Sequence, residues 1–263
     1  MIKLLGIPYD ENSSFIKGPA LAPPIIRQMD TDGAANAFCE NGKEIINGKI
    51  YTDLGDILFP DKNPEAAYHT IKKKILQELQ GNNKIICFGG DHSVSFPIIE
   101  AFAEKYKGLH VLHLDAHADL YANFDNNPYS HASPFARIME KGIIRSLTQV
   151  GIRTLNTHQR QQAALYNVRM VEMKDFNADF ISTLRSPLYV SLDIDVLDPA
   201  FAPGISHHEP GGLSTRQLIN IIQSVTANVV GADIVEYNPT RDINYVTAML
   251  AYKLFKELVS AMY

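Results

Sequence analysis

Eight short apolar runs rich in branched residues alternate with longer stretches of helical period, and few folds accommodate that order. The runs at residues 2–7, 50–54, 84–88, 110–114, 147–150, 168–171, 188–192 and 229–235 read as strands. Helical patterns cover about residues 66–79, 95–105, 134–141, 158–166, 175–184 and 215–224, and the chain closes with a helix over about 244–262. Parallel neighbours need a long crossover, so strict alternation implies a parallel sheet with helices on its faces. A closed barrel would use the same number of strands, but the connections here are unequal and no strand follows the closing helix. The expected class is α/β: a three-layer α/β/α arrangement with an open, mostly parallel eight-stranded sheet. No repeat or Gly/Pro/Ser-rich linker divides the chain, so one domain over residues 1–263 is expected. In the stretch NSSFIKGPALAPP, Pro19, Pro23 and Pro24 are expected to break any helix or strand, leaving a loop that lines something.

Hydrophobic residues make up 46% of the 263, an ordinary share for a packed core. The formal net charge of -5 gives no basic footprint for nucleic acid or an anionic membrane; a cationic or neutral small substrate fits better. There is no uninterrupted apolar run of about 18 residues, and the first apolar stretch is too short for a signal peptide. A soluble cytoplasmic protein is expected. Cys39 and Cys87 form no C-x-x-C, which argues against both a disulfide framework and a thiolate zinc site.

Chemistry collects where strands end. The run 84–88 opens into Gly89-Gly90-Asp91-His92-Ser93, whose paired glycines allow tight turning that delivers His92. The run 110–114 opens into Asp115, His117 and Asp119, side chains spaced by two that converge as the strand becomes a loop. The run 188–192 gives way to Asp193 and Asp195, and Glu236 stands just past 229–235. One histidine after a strand is usually an ordinary loop residue, but four strand ends carrying acids or histidine at one edge of a parallel sheet mark a ligand site. His92, Asp115, His117, Asp119, Asp193 and Asp195 are too many donors for one tetrahedral zinc and suit two metals bridged by shared carboxylates. Oxygen and imidazole donors without thiolate favour a harder ion such as manganese. A metal pair lowers the pKa of a shared water, so hydrolysis is the reaction class.

The motifs GGDHS, DAHAD, DIDVLDPAFAPG and VEYNP, with NSSFIKGPALAPP, YSHASPFARIMEKG, VGIRTLN and GISHHEPGGLS, together resemble the ureohydrolases, the arginase and agmatinase family, and most closely its plant-type arginases. The likeness spans nearly the whole chain. It implies two Mn2+ per subunit. The first is held by His92, Asp115, Asp119 and Asp193, the second by Asp115, His117, Asp193 and Asp195, so that Asp115 and Asp193 bridge. It also implies that His131 relays protons and that Glu236 pairs with a substrate guanidinium, which a carboxylate meets with two hydrogen bonds. The implied products are urea and an amine, and the implied assembly is a homo-oligomer, trimer or hexamer. L-arginine is the favoured small guanidino substrate, with agmatine and other guanidino or formimino compounds as alternatives. Tyr121 and Asn156 depart from the head-group residues of animal arginases.

Neighbouring residues have blander readings. His113 is expected to be a hydrogen-bonded core histidine, His207 and His208 pocket wall or subunit contact, and Asp91 a helix cap or a partner of a ligand. Asp198 should form a turn, Tyr121 and Phe124 should pack, and Arg241 and Asp242 should form charged pairs at a surface or between subunits. A one-zinc deacetylase of similar sheet architecture would lack one of the D-x-H-x-D and D-x-D motifs. A two-metal phosphatase would need a phosphate-cradling loop or a basic cluster. An inactive, metal-dependent binding relative is expected to have lost a ligand, His131 or Glu236, all of which are present.

Overall fold

The strands are β1 (Ile2–Gly6), β2 (Tyr51–Asp56), β3 (Lys84–Phe88), β4 (His110–Leu114), β5 (Ser146–Ile152), β6 (Arg169–Glu172), β7 (Leu188–Asp193) and β8 (Val229–Val235). The helices are α1 (Ala22–Thr31), α2 (Pro64–Glu78), α3 (Ser95–Lys105), α4 (Pro134–Glu140), α5 (Thr157–Leu165), α6 (Thr215–Ser224) and α7 (Val246–Met262). The structure is a computed structural model, and it describes residues 1–33 and 35–263. All strand pairs are parallel, in the order β2-β1-β3-β8-β7-β4-β5-β6. The sheet is open, with β2 and β6 at its edges. The central strands β7 and β8 are buried at every residue, whereas β6 is half-buried or exposed throughout, which is why the runs at 188–192 and 229–235 carry the least polar alternation.

Successive residues serve opposite faces. Ile86 and Phe88 join a core with Ile26 of α1, Leu218 of α6 and Leu258 of α7. Ile85 and Cys87 join another with Ile71 of α2, Phe102 of α3 and Phe135 of α4. Among the described residues no helix is long and apolar enough to cross a membrane.

Three expectations need correction. Pro19, Pro23 and Pro24 do not prevent helix: a 3-10 turn over Pro19–Leu21 runs straight into α1, whose first turn holds Pro23 and Pro24. The first-turn N–H groups have no intrahelical acceptor, so proline costs nothing there. The helix expected over 175–184 is instead two 3-10 segments, Met173–Asp175 and Ala178–Thr183. Asn177 separates them, its side chain accepting the Asp179 N–H in a local turn that competes with helix. The closing helix begins at Val246 rather than 244, because Asn244 and Tyr245 have φ of 50° and 60°. Among the described residues Asp242 makes hydrogen bonds and no ion pair. Its carboxylate accepts the Thr247 and Ala248 N–H groups and the Tyr237 hydroxyl, capping α7.

Candidate metal centre

The four adjacent central strands β3, β8, β7 and β4 bring their carboxyl ends together, and each delivers one element of the site. Past β3 the chain turns at Gly90, where a Cβ would lie 1.7 Å from the Tyr9 carbonyl oxygen, so only glycine fits. His92 follows in a short 3-10 turn capped by Asp91, whose other oxygen accepts the Asn12 N–H. Beyond β4 the loop through Asp115, His117 and Asp119 is tied to the loop after β7, since Asp195 Oδ1 accepts the Ala116 N–H at 3.0 Å. Asp119 and Glu236 have φ of 48° and 62°, left-handed conformations that concentrate at functional sites.

His92 Nδ1 lies 3.1 Å from each of three carboxylate oxygens: Asp115 Oδ2, Asp119 Oδ2 and Asp193 Oδ2. On the far side of the ring, Nε2 lies 3.0 Å from Ser191 Oγ, and that hydroxyl donates to Asp233 Oδ1 at 2.7 Å. Ser191 therefore accepts from Nε2–H, and Nδ1 is the nitrogen that faces the carboxylates, offering its lone pair once a cation takes the place of a proton. Among the described residues this buried nitrogen has no hydrogen-bond partner. A lone pair facing three carboxylates needs a cation between them. A second group forms beside it: His117 Nδ1 is 2.9 Å from Asp195 Oδ2 and 3.4 Å from Asp115 Oδ1. Asp115 contributes a different oxygen to each group, as a bridging carboxylate does. Asp193 meets the first group through Oδ2, while its Oδ1 accepts the Asp195 N–H.

The charges make the same point. Burial, reinforced by Asp195 and Asp115, raises the Asp193 carboxyl well above the usual carboxylate range, and burial raises Asp195 too. Burial would pull His92 and His117 down, but the surrounding carboxylates push both well above the ordinary imidazole range. Protons thus stand in for positive charge that divalent ions would supply, and metal binding would release them. Donors about 2.1 Å from one ion and at right angles lie about 3.0 Å apart, close to the spacing of His92 Nδ1 from its three carboxylates and of His117 Nδ1 from Asp195. The donor set fits divalent cations.

A cavity of about 200 Å³ opens over this cluster, bounded by Ser14, His117, Tyr121, His131, His207 and Glu236 among others. His131 Nδ1 lies 2.8 Å from Glu236 Oε1, which also accepts the His92 N–H at 2.8 Å. On its other side, His131 Nε2 meets the Ser14 N–H at 3.1 Å and the Ser14 hydroxyl at 2.7 Å. Burial pulls the His131 imidazolium down, but Glu236 overrides it and carries His131 to about 9, while His131 lowers Glu236 against the effect of burial. The histidine's contribution to stability is therefore complete below its unfolded pKa of about 6.5 and is lost as pH rises through about 9. The carboxylate's share is present above its unfolded pKa and lost as pH falls. Thermal melts of chelator-treated protein should decline between about pH 6.5 and 9, and less steeply in His131→Asn. An unchanged alkaline limb in that variant would contradict the pairing.

The eight expected site residues all converge here. His113 is hydrogen-bonded and fully buried, Asp198 forms a turn with the Ala200, Gly211 and Gly212 N–H groups, and His208 faces the Pro203 carbonyl. His207 is pocket wall, its ring 5.6 Å from His117 and 5.8 Å from His131. Tyr121 and Phe124 pack on each other and also line the cavity. The sequence reading missed Ser14, Gln149, Ser191 and Asp233. Ser191 and Asp233 had a signal, each being a polar residue inside a largely apolar strand.

The sequence model of the Arginase family matches residues 1–260. Arginase 1, mitochondrial, of Arabidopsis thaliana is 44% identical over 273 residues, covering 98% of this chain and 80% of that protein. An agmatinase of Bacillus cereus is 31% identical over 269 residues, covering 98% of this chain and 90% of its own. Among solved structures, the arginase from Medicago truncatula superposes with a TM-score of 0.91 at 40% identity, covering 99% of this chain and 87% of that one.

Proposed function

The chain belongs to the arginase family, a hydrolase acting on C–N bonds of guanidino compounds, and from that premise we propose that it binds two manganese ions and converts L-arginine to L-ornithine and urea. The observation that carries the reading is Asp115, whose two oxygens face two separate donor groups directly beneath the His131–Glu236 pair. His92, Asp115, Asp119 and Asp193 would hold one ion; Asp115, His117 and Asp195, with Asp193 completing the set, would hold the other. When bound, the ions lower the pKa of a water to near neutrality and neutralise developing negative charge. Glu236 uses Oε1 for His131 and the His92 N–H; among the described residues Oε2 has no donor and is available to a guanidinium. His131 Nε2 accepts the Ser14 N–H, so it would give that bond up when it takes a proton for the departing amine, and the Ser14 hydroxyl can follow that nitrogen as donor or acceptor.

The outer wall supports arginine over agmatine. Asn156 Oδ1 accepts the Gln159 N–H, which fixes its amide, so Nδ2 donates to the Tyr121 hydroxyl at 2.8 Å. The phenol therefore accepts in that bond and keeps its own proton for a carboxylate, which arginine has and agmatine lacks. Tyr121→Phe should lower kcat/KM for arginine about tenfold and leave agmatine unaffected. The deciding experiment is urea release from manganese-loaded protein offered both substrates. Urea with ornithine from arginine supports the proposal, and urea with putrescine from agmatine alone would replace it by an agmatinase.

A further inference from the structure

One transverse row of side chains lies in the layer beneath the carboxyl edge of the sheet, and every member is fully buried: Gln149 on β5, His113 on β4, Ser191 on β7 and Asp233 on β8. The strand register pairs Gln149 with His113, His113 with Ser191, and Ser191 with Asp233. Ser191 and Asp233 orient His92, as described above. The other half of the row makes different use of a histidine.

His113 Nε2 stands 2.7 Å from Asp115 Oδ2, close enough to join the first donor group. We infer that it does not coordinate, and that His113 is a positioning residue whose tautomer is set by Gln149 so that its Nε2–H pins the shared carboxylate of Asp115. The inference rests on the metal-binding reading proposed above and assigns two residues to it.

The direction of each hydrogen bond follows from one carbonyl. The Gln149 atom 2.6 Å from the Ala118 oxygen must be the amide nitrogen, because a carbonyl can only accept. Exchanging the amide's nitrogen and oxygen would set two acceptors against each other. The second N–H of the same nitrogen faces His113 Nδ1 at 3.0 Å, so Nδ1 accepts and the ring proton lies on Nε2, donating to Asp115 Oδ2. Among the described residues Gln149 Oε1 is left buried without a partner, a cost the amide bears to keep both donations. Phe135 fixes the ring plane, stacked on His113 at 3.8 Å and 26°. A ligand role would need a lone pair on Nε2 and hence a proton on Nδ1, directed at an N–H.

Asp115 is then held by one N–H on each oxygen: His113 Nε2–H on Oδ2 and the His117 backbone N–H on Oδ1. Each oxygen keeps a lone pair for one donor group. Ala118 lies between His117 and Asp119, so Gln149 also anchors the loop carrying both. The contrast with His92 is complete, since His92 has one nitrogen bonded and one orphaned, and His113 has both bonded.

The test compares manganese affinity by chelator competition, the number of ions bound at saturation, and the electron spin resonance signature of a coupled manganese pair. It uses wild type, His113→Leu, His113→Gln and Gln149→Met. Expected are two ions at saturation in every variant, affinity about 10–100-fold weaker in His113→Leu and Gln149→Met, and an altered coupled signal. His113→Gln, which keeps an amide N–H in the Nε2 region, should recover most of the affinity. Far-UV circular dichroism of the metal-free variants checks folding, and Gln149→Met carries the test if His113→Leu fails to fold. Saturation at one ion in His113→Leu would make His113 a ligand and overturn the inference. Unchanged affinity and spectrum in both His113→Leu and Gln149→Met would overturn it as well. Wild-type protein that binds no manganese would overturn the proposed function and this inference together, and so is distinguishable from the other two outcomes.

Discussion

Asp193→Asn is expected to lower kcat/KM at least about 10³-fold and to leave the purified protein short of metal. The substitution keeps the shape but replaces an anionic oxygen, 3.1 Å from the orphaned His92 nitrogen, by a neutral amide that offers an N–H on one of its two faces. The same change at Asp115 should be at least as severe, because its oxygens serve both donor groups. Metal analysis after gel filtration, beside urea release, checks both. Retention of two manganese ions with normal turnover in either variant would contradict the assignment. The metal-free proteins should behave oppositely. Asp193 is pushed well above the usual carboxylate range by burial and by its acidic neighbours, so its ionised form is unwelcome in the fold without a cation. Removing that carboxylate should raise the melting temperature of chelated protein at neutral pH while abolishing the gain that manganese gives wild type.

Removing the His131 imidazole should cost about 10²–10⁴-fold in kcat, the range for a positioned general acid–base group, with metal content unchanged. His131→Asn can still take a hydrogen bond from Ser14, yet it cannot carry a proton. Glu236→Gln should fall as far in kcat/KM, because it loses the charge proposed to meet the guanidinium and the charge that sustains His131. The two changes act on one hydrogen-bonded unit, so the double variant should be little worse than the poorer single one. Full additivity would show that the 2.8 Å contact between them is not a working pair.

The residues of the two donor groups were legible because they occupy strand exits, where an apolar run stops abruptly and acids follow at spacings of two. Sheet class was legible for a related reason: eight short apolar runs separated by crossovers leave few alternatives. Residues 19–24 were misread because proline's meaning depends on position, and only the helix start that uses Pro23 and Pro24 reveals that they fall in a first turn. The segment at 175–184 had the right periodicity but lost to local side-chain turns. Ser14 was hidden for another reason. Nothing in NSSFIKG distinguishes the serine whose hydroxyl reaches a histidine 117 positions away, since that contact belongs to the tertiary structure. Ser191 and Asp233 could have been found by asking why largely apolar strands carry a polar residue near their exits, whereas Gln149 stands beside Thr148 in a strand that also begins with Ser146 and gave no such signal.

The strand order has a consequence for how the chain comes to exist at all. β3 and β4 follow one another in sequence, yet β8 and β7 stand between them in the sheet. A chain made only through β6 carries the strands of two half-sheets, β2-β1-β3 and β4-β5-β6, whose inner edges would have no sheet partner until β7 and β8 are made. His92 belongs to one half and Asp115 to the other, so catalytic competence should appear only when the final two strands wedge in from the carboxyl-terminal side. Until then those open inner edges are the places where a chaperone, or another unfinished copy, would find backbone to bind.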